Sequence, residues 1–210
     1  MTYNIISTGS QGNAVVVNDT LLIDCGVSFK ALEKVYKSLM LVLLTHEHSD
    51  HFNPTTLRML AVQRPLLRFG CGGWLRWRLI NAGIPSDRID VYREGLKYDY
   101  KAFAVSPIKL YHDVPNFGYR LYLGNERALY ATDTSTLDGI EAKNYDLYLV
   151  EANYSEDDLR YKIAEKEAAG EYVYEYRKAR SHLSKESVDK WLANNMDYEK
   201  SDFVYLHGCY

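Results

Sequence analysis

Six residues, HEHSDH at positions 46–51, follow directly on the apolar run LMLVLL and Thr45. A continuous apolar run of this kind reads as a fully buried strand, placed here over Met40 to Thr45. A string so rich in histidine at the end of a buried strand narrows what the chain can be. Imidazole and carboxylate are good ligands for a borderline-soft divalent ion such as zinc. On a strand end, His46 and His48 point the same way at period two. Asp50 and His51 fall on the following turn and can reach a second ion. One short loop can therefore serve two metals, but it cannot fill both coordination shells. Further donors stand elsewhere at strand ends: His112 after IKLY, Asp133 after ALYAT and His207 after DFVYL. Rigid strands deliver such ligands to one rim of a sheet.

The remaining punctuation alternates strands with helices. Val15 to Val17 and Leu21 to Asp24 read as a hairpin across Asn18, Asp19 and Thr20. Ser28 can cap a helix with Phe29, Leu32 and Tyr36 inward. Asn53 and Pro54 form a cap and first turn ahead of Leu57, Leu60 and Ala61. A further helix is expected over Gly73 to Asn81. Ala102 to Ile108, Tyr119 to Leu123, Ala128 to Thr132 and Asp146 to Glu151 read as strands. Ser155 and Asp158 form a capping-box pattern before Leu159 and Ile163. Ser184 opens a last helix with Val188, Trp191 and Leu192 inward, and Phe203 to His207 is a final strand. Residues 160–180 are rich in Tyr, Glu, Lys and Arg with little apolar periodicity. With no linker or repeat, the expectation is one α/β domain over 1–210 with mixed sheets.

HEHSDH, with His112, Asp133 and His207 in this order, resembles the metallo-β-lactamase-fold hydrolase superfamily. The openings STGSQGNAVVV and LLIDCG are similar to the YycJ-like (WalJ) branch, related to RNase Z and RNase J. HDVPNFGY, TDTS, VEANY, SHLSKES and VYLH add further matches. The resemblance implies a four-layer αββα sandwich of two mixed sheets flanked by helices. It implies that His46, His48 and His112 hold a first metal, and that Asp50, His51 and His207 hold a second. Asp133 would bridge them. The implied cofactors are two divalent ions, zinc or alternatively manganese. Cys209, near His207, reads as a bystander thiol.

Two ions sharing a carboxylate can share a water, whose pKa falls to about 7 from about 15.7. Asp50 can accept a proton from it or orient it. The metals give hydrolysis without choosing a substrate, and three features tilt the choice towards nucleic acid. Residues 57–86 carry five arginines (Arg58, Arg64, Arg68, Arg76 and Arg78) with Trp74 and Trp77 among them and no acidic residue. Arginine pairs with phosphate as a fork, and tryptophan stacks on bases. The competing reading is a solvated helix face with core tryptophans. Arg177, Lys178 and Arg180 lie just before His182 and can hold a polyanion. His182 is left over from the ligand set and, by resemblance, lies near the scissile phosphate, where it could protonate the leaving oxygen. Tyr172, Tyr174 and Tyr176 alternate beside the basic cluster; base stacking is one reading of them, a face packed on the domain the commoner one, and they carry no weight for the substrate.

Composition excludes several classes. The 210 residues are 47% hydrophobic and 25% charged, with net charge −3, so disorder and a generally basic nucleic-acid binder are both excluded. No apolar run approaches the roughly twenty residues of a membrane span, and no signal peptide is seen. Three scattered cysteines suit a reducing cytoplasm. Two rivals remain: a lactone, ester or thioester hydrolase on the same fold, and a non-catalytic binding module. A second-site cysteine like that of β-lactamases has no counterpart. Only 48 residues separate Asp133 from His182, so the RNase J-type inserted domain is absent.

Overall fold

A computed structural model describes residues 1–208. The chain divides into two compact units, residues 1–98 and 99–210. Cys209 lies outside the described residues.

The first unit is built on a six-stranded mixed sheet. Its strands are β1 (Tyr3–Ser7), β2 (Ala14–Val17), β3 (Leu21–Ile23), β4 (Leu41–Leu44), β5 (Arg68–Gly72) and β6 (Ile89–Tyr92), hydrogen-bonded in that order. β1 to β3 are antiparallel, and β3 to β6 run parallel. Parallel neighbours need crossovers. These are supplied by a 3-10 turn (Phe29–Leu32), α1 (Pro54–Gln63) and α2 (Arg76–Asn81), the last preceded by a 3-10 turn over Gly73–Leu75. Asn53 caps α1 as expected, accepting from Thr56 N at 3.1 Å. Leu57, Leu60, Leu75 and Leu79 pack with Val16, Leu22, Val42, Leu44 and Phe69 in one core. All four residues of β4 are buried, which is why the run carries no alternation.

β5 escapes a sequence reading because RFGCG looks like a loop. Its glycines are there for close packing. A Cβ on Gly70 would lie 2.3 Å from the Tyr92 hydroxyl oxygen and 2.5 Å from its ring, and one on Gly72 would lie 2.3 Å from the Trp74 ring. The expected Ser28 helix shrinks to the 3-10 turn, with no side-chain cap.

The second sheet also has six strands, in the order β12-β11-β10-β9-β8-β7. These are β7 (Tyr98–Asp99), β8 (Ala104–Leu110), β9 (Asn116–Leu123), β10 (Glu126–Ala131), β11 (Leu147–Glu151) and β12 (Asp202–Leu206). β9 is antiparallel to both β8 and β10, while β10, β11 and β12 are parallel. β8, β10, β11 and β12 therefore all point the same way, and their C-terminal ends share one edge. Helices α3 (Glu156–Ala169), α4 (Glu175–Ser181) and α5 (Lys185–Asn195) complete the unit. Val188 and Leu192 of α5 pack on Leu129, Tyr148 and Val150.

Ser155 does not close a capping box with Asp158. Instead its hydroxyl donates to Glu186 of α5 at 3.1 Å, and the same carboxylate accepts from Glu156 N. α3 buries only Leu159, and Gly170 ends it at φ +68°. α4 has no apolar stripe to announce it. Two mixed sheets with flanking helices match the expected α/β class. Among the described residues no helix is long and apolar enough to cross a membrane.

Candidate metal centre

In the first unit the loop after β4 gathers His46, His48, Asp50 and His51. Asp24, just past the end of β3, orients it. Asp24 is fully buried, with φ +59°. Its carboxylate accepts from Thr45 N at 2.9 Å and from Thr45 Oγ1 at 2.9 Å. His51 Nδ1 donates to Oδ2 at 2.7 Å. An ionised carboxylate only accepts, so Nδ1 of His51 carries the proton and Nε2 carries the lone pair. Asn13 Nδ2 lies 2.8 Å from that Nε2, and Asp50 Oδ2 lies 3.5 Å from it. The Thr45 hydroxyl spends its proton on Asp24, so His46 Nδ1, 2.9 Å away, must donate to it. His46 Nε2 is left with a lone pair and stands 3.1 Å from His48 Nδ1.

That spacing tests the fit of an ion. Two nitrogens each about 2.05 Å from a tetrahedral zinc stand about 3.3 Å apart. The His46–His48 pair is close to that value. The backbone keeps the loop tight against the chain after β3: Cys25 N donates to His51 O, and Asn53 N donates to Cys25 O. Gly26 allows this approach, because a Cβ there would sit 1.7 Å from the Asp50 carbonyl oxygen. Cys25 is buried, and burial and then the charge of Asp24 push its thiol pKa far up.

In the second unit the shared strand edge carries His112 after β8, Asp133 after β10, Glu151 at the end of β11 and His207 after β12. Asp133 and His207 both turn off their strands in the left-handed region, at φ +55° and +60°. Such a break re-aims a side chain at the end of a straight strand and is uncommon away from glycine. Asp133 Oδ2 accepts from Thr132 Oγ1 at 2.9 Å and lies 3.4 Å from His207 Nε2. His112 Nδ1 donates to the Ser181 carbonyl at 3.3 Å, and its Nε2 is 3.2 Å from Asp113 Oδ1. Tyr111 N donates to Thr134 Oγ1, which ties the His112 segment to the one after β10.

Glu151 is the residue that sequence reasoning missed here. It is fully buried. Oε1 accepts from Thr134 N at 2.9 Å and from Leu183 N at 3.2 Å, while Oε2 accepts from His182 Nδ1 at 3.1 Å. His182 Nδ1 is also 3.5 Å from Asp133 Oδ1. Burial alone would lower the His182 pKa. The hydrogen bond to Glu151 and the charges of Glu151 and Asp133 outweigh it and hold the imidazole above its ordinary value. Asp133, Glu151 and His182 each place a ligand atom within 4.8 Å of the others, so this trio could also hold a cation.

The arginine-rich stretch breaks up in space. Arg64 donates to the carbonyls of Tyr36 and Leu39, and Arg68 pairs with Asp90. Both serve the fold. Arg76 stands over the Trp77 ring, and Arg78 pairs with Glu47 at 2.7 Å. In the other basic cluster Arg177 pairs with Asp113 at 2.8 Å, Lys178 stands 6.0 Å from the Tyr154 ring, and Arg180 is exposed. Tyr172, Tyr174 and Tyr176 are all exposed, so the packed-face reading of them fails. The signal for Asp24 and Glu151 was slight: an acidic residue at the end of an apolar strand, in LLID and LYLVE.

Comparison with known proteins follows the same lines. An exodeoxyribonuclease YycJ of Bacillus anthracis is 27% identical over 175 residues, spanning 75% of this chain and 65% of that protein. The chain therefore matches just under two thirds of that relative's length. Among solved structures, the metallo-beta-lactamase fold protein YhfI from Bacillus subtilis superposes with TM-score 0.70 at 16% identity, covering 98% of this chain and 84% of that one. Human tRNase Z, short form, gives TM-score 0.69 at 15% identity, covering 99% and 98%. At these identities the structures speak for the fold, which is the metallo-β-lactamase fold. The family described as "Beta-lactamase superfamily domain" matches residues 19–195, and the chain belongs to that superfamily.

Proposed function

We propose that the chain is a metal-dependent phosphodiesterase that cleaves nucleic acid using two divalent ions. His46, His48 and His112 are assigned to the first ion and Asp50, His51 and His207 to the second, with Asp133 serving both. The observation that carries the reading is the His46–His48 pair at 3.1 Å, with His46 held in a ligand-ready tautomer by Thr45 and Asp24. Histidine ligands typically donate their other N–H to a carboxylate, carbonyl or similar acceptor in this way. When bound, such ions lower the pKa of water and neutralise charge on a phosphoryl group.

The chain's own residues supply the rest. Asp50, partly exposed beside His51, would take up a proton from the attacking water. His182 donates from Nδ1 to Glu151, and the same carboxylate with Asp133 raises its pKa, which favours the imidazolium; that form carries a second proton on Nε2 for delivery to the leaving oxygen. Arg76, Arg78, Arg177, Lys178 and Arg180 are the proposed phosphate contacts. The nuclease name of the Bacillus anthracis relative supports nucleic acid as the substrate. Zinc is the proposed ion, since histidine predominates in the set.

The test is a panel of oligonucleotides, a generic phosphodiester, a lactone and a thioester, each assayed with and without chelator, on protein of measured metal content. Chelator-sensitive cleavage of the phosphodiesters alone is expected. Turnover of the lactone or thioester alone would overturn the substrate class. Fewer than one bound ion per chain, with no turnover, would favour a binding module.

A further inference from the structure

The three tryptophans have different fates. Trp74 packs against the core of the first unit, and Trp191 is half-buried with its Nε1 donating to the Ile140 carbonyl. Trp77, on α2, keeps 66% of its surface in solvent. Its surroundings are specific. The Arg76 guanidinium carbon stands 5.6 Å from its ring centroid. The next residue, Arg78, donates through Nε to Glu47 at 2.7 Å. Glu47 sits between His46 and His48, so Arg78 ties α2 to the loop carrying those histidines. The pair engages Arg78 through Nε, and a guanidinium has five N–H donors in all.

An indole with a cation on one side and most of its surface in water has a flat face to offer. The Arg76 guanidinium gives it a positive neighbour, and Arg78 ties its helix to the loop that is the proposed place of phosphodiester cleavage. An unpaired nucleobase with its flanking phosphates matches each of these features. A base inside a duplex does not, because both of its faces are already stacked.

We propose that Trp77 is a stacking platform for an unpaired nucleobase, with Arg76 and Arg78 pairing the adjoining phosphates, so that nucleic acid reaches the loop as a single strand. This rests on the phosphodiesterase reading of that loop. Stacking on an aromatic ring tolerates any base, so little sequence preference is expected.

The test is equilibrium binding of the full chain to a labelled oligothymidylate with cleavage-resistant phosphorothioate linkages, beside a blunt duplex. Trp77→Ala should weaken single-strand binding by about 10-fold or more, and Trp77→Phe should stay within about 3-fold of wild type. Duplex binding should be the same in all three proteins. Leu66→Ala removes a still more exposed apolar side chain, 91% in solvent, and should leave single-strand binding unchanged. The proposal is overturned if Trp77→Ala binds the strand like wild type, if duplex and strand binding weaken equally, or if Leu66→Ala does the same damage. It is also overturned if wild type does not bind the strand, or if Trp77→Ala changes only self-association, which would make the face a protein contact. Metal-dependent hydrolysis of a generic phosphodiester by wild type is measured separately. Its absence would sink the phosphodiesterase reading while a Trp77-dependent binding result would stand.

Discussion

Asp24→Asn isolates one function of one buried oxygen. Asp24 sits at φ +59°, a region that asparagine tolerates as aspartate does and alanine does not. The backbone therefore has no reason to move. The new amide can keep both Thr45 donors on its oxygen. Its NH2 then faces the His51 Nδ1–H across the 2.7 Å contact, donor against donor. Either that bond is broken, or the imidazole moves its proton to Nε2 and gives up the lone pair needed for an ion. Losing a hydrogen bond to a charged group costs about 1.5–3 kcal/mol. At about 2–4 °C per kcal/mol for a chain of this size, the melting temperature should fall by about 3–12 °C. Metal affinity should fall by about 10–100-fold, as for other residues that orient histidine ligands. Stripped protein titrated with zinc against a chromophoric chelator reads the affinity, and thermal unfolding reads the stability. Zinc affinity within about 2-fold of wild type, in a folded variant, would show that Asp24 does not set the His51 tautomer.

Three further outcomes are expected. His182→Ala should slow phosphodiester cleavage by about 100-fold or more with metal content unchanged; loss of an ion would make His182 a ligand alongside Asp133 and Glu151. The double reversal Arg76→Glu with Arg78→Glu should flatten the salt dependence of single-strand binding by about 0.7 for each phosphate no longer neutralised, and an unchanged slope would remove these residues from the interface. Gly26→Ala should lower both thermal stability and metal affinity, because the Asp50 carbonyl stands 1.7 Å from the added Cβ. Wild-type behaviour on both measurements would show that the loop can yield without giving up its ligands.

The elements visible in the sequence were those whose pattern and burial coincide. β4 announces itself because all its residues are apolar, and α1 because Asn53, Pro54 and the leucine spacing agree. β5 was hidden because packing against the Tyr92 and Trp74 rings demands glycines, which also signal loops. α3 starts after Ser155 as its opening pattern indicated, though it buries only Leu159, while α4 buries only Glu175 and leaves no apolar period to read. The histidines stand out as candidate ligands from their spacing and strand-end positions. The groups that orient them are not, because an isolated Asp or Glu after an apolar run is equally common at any loop start. The arginines of residues 57–86 show the reverse problem. Composition lumps together five side chains that the fold sends to different tasks, two of them to backbone carbonyls and to Asp90.

Asp24 and Glu151 show why those missed residues matter. Each is a fully buried carboxylate at the end of a strand. A lone carboxylate in such a place would be driven to protonate or to destabilise the fold. Each instead receives three donors: Asp24 from Thr45 N, Thr45 Oγ1 and His51 Nδ1, all in the loop after β4, and Glu151 from Thr134 N, Leu183 N and His182 Nδ1, in two separate loops. In both cases two donors come from backbone or hydroxyl groups far along the chain, and the third is the Nδ1–H of an imidazole, whose ring is thereby oriented. The same three bonds thus offset the burial of the carboxylate and orient a histidine ring. Folding and site assembly are coupled through a single group, and a substitution there should lose stability and ligand geometry together. A surface ion pair such as Arg160–Glu156 has no such coupling, and its removal should cost no more than about 0.5 kcal/mol with no effect on metal binding.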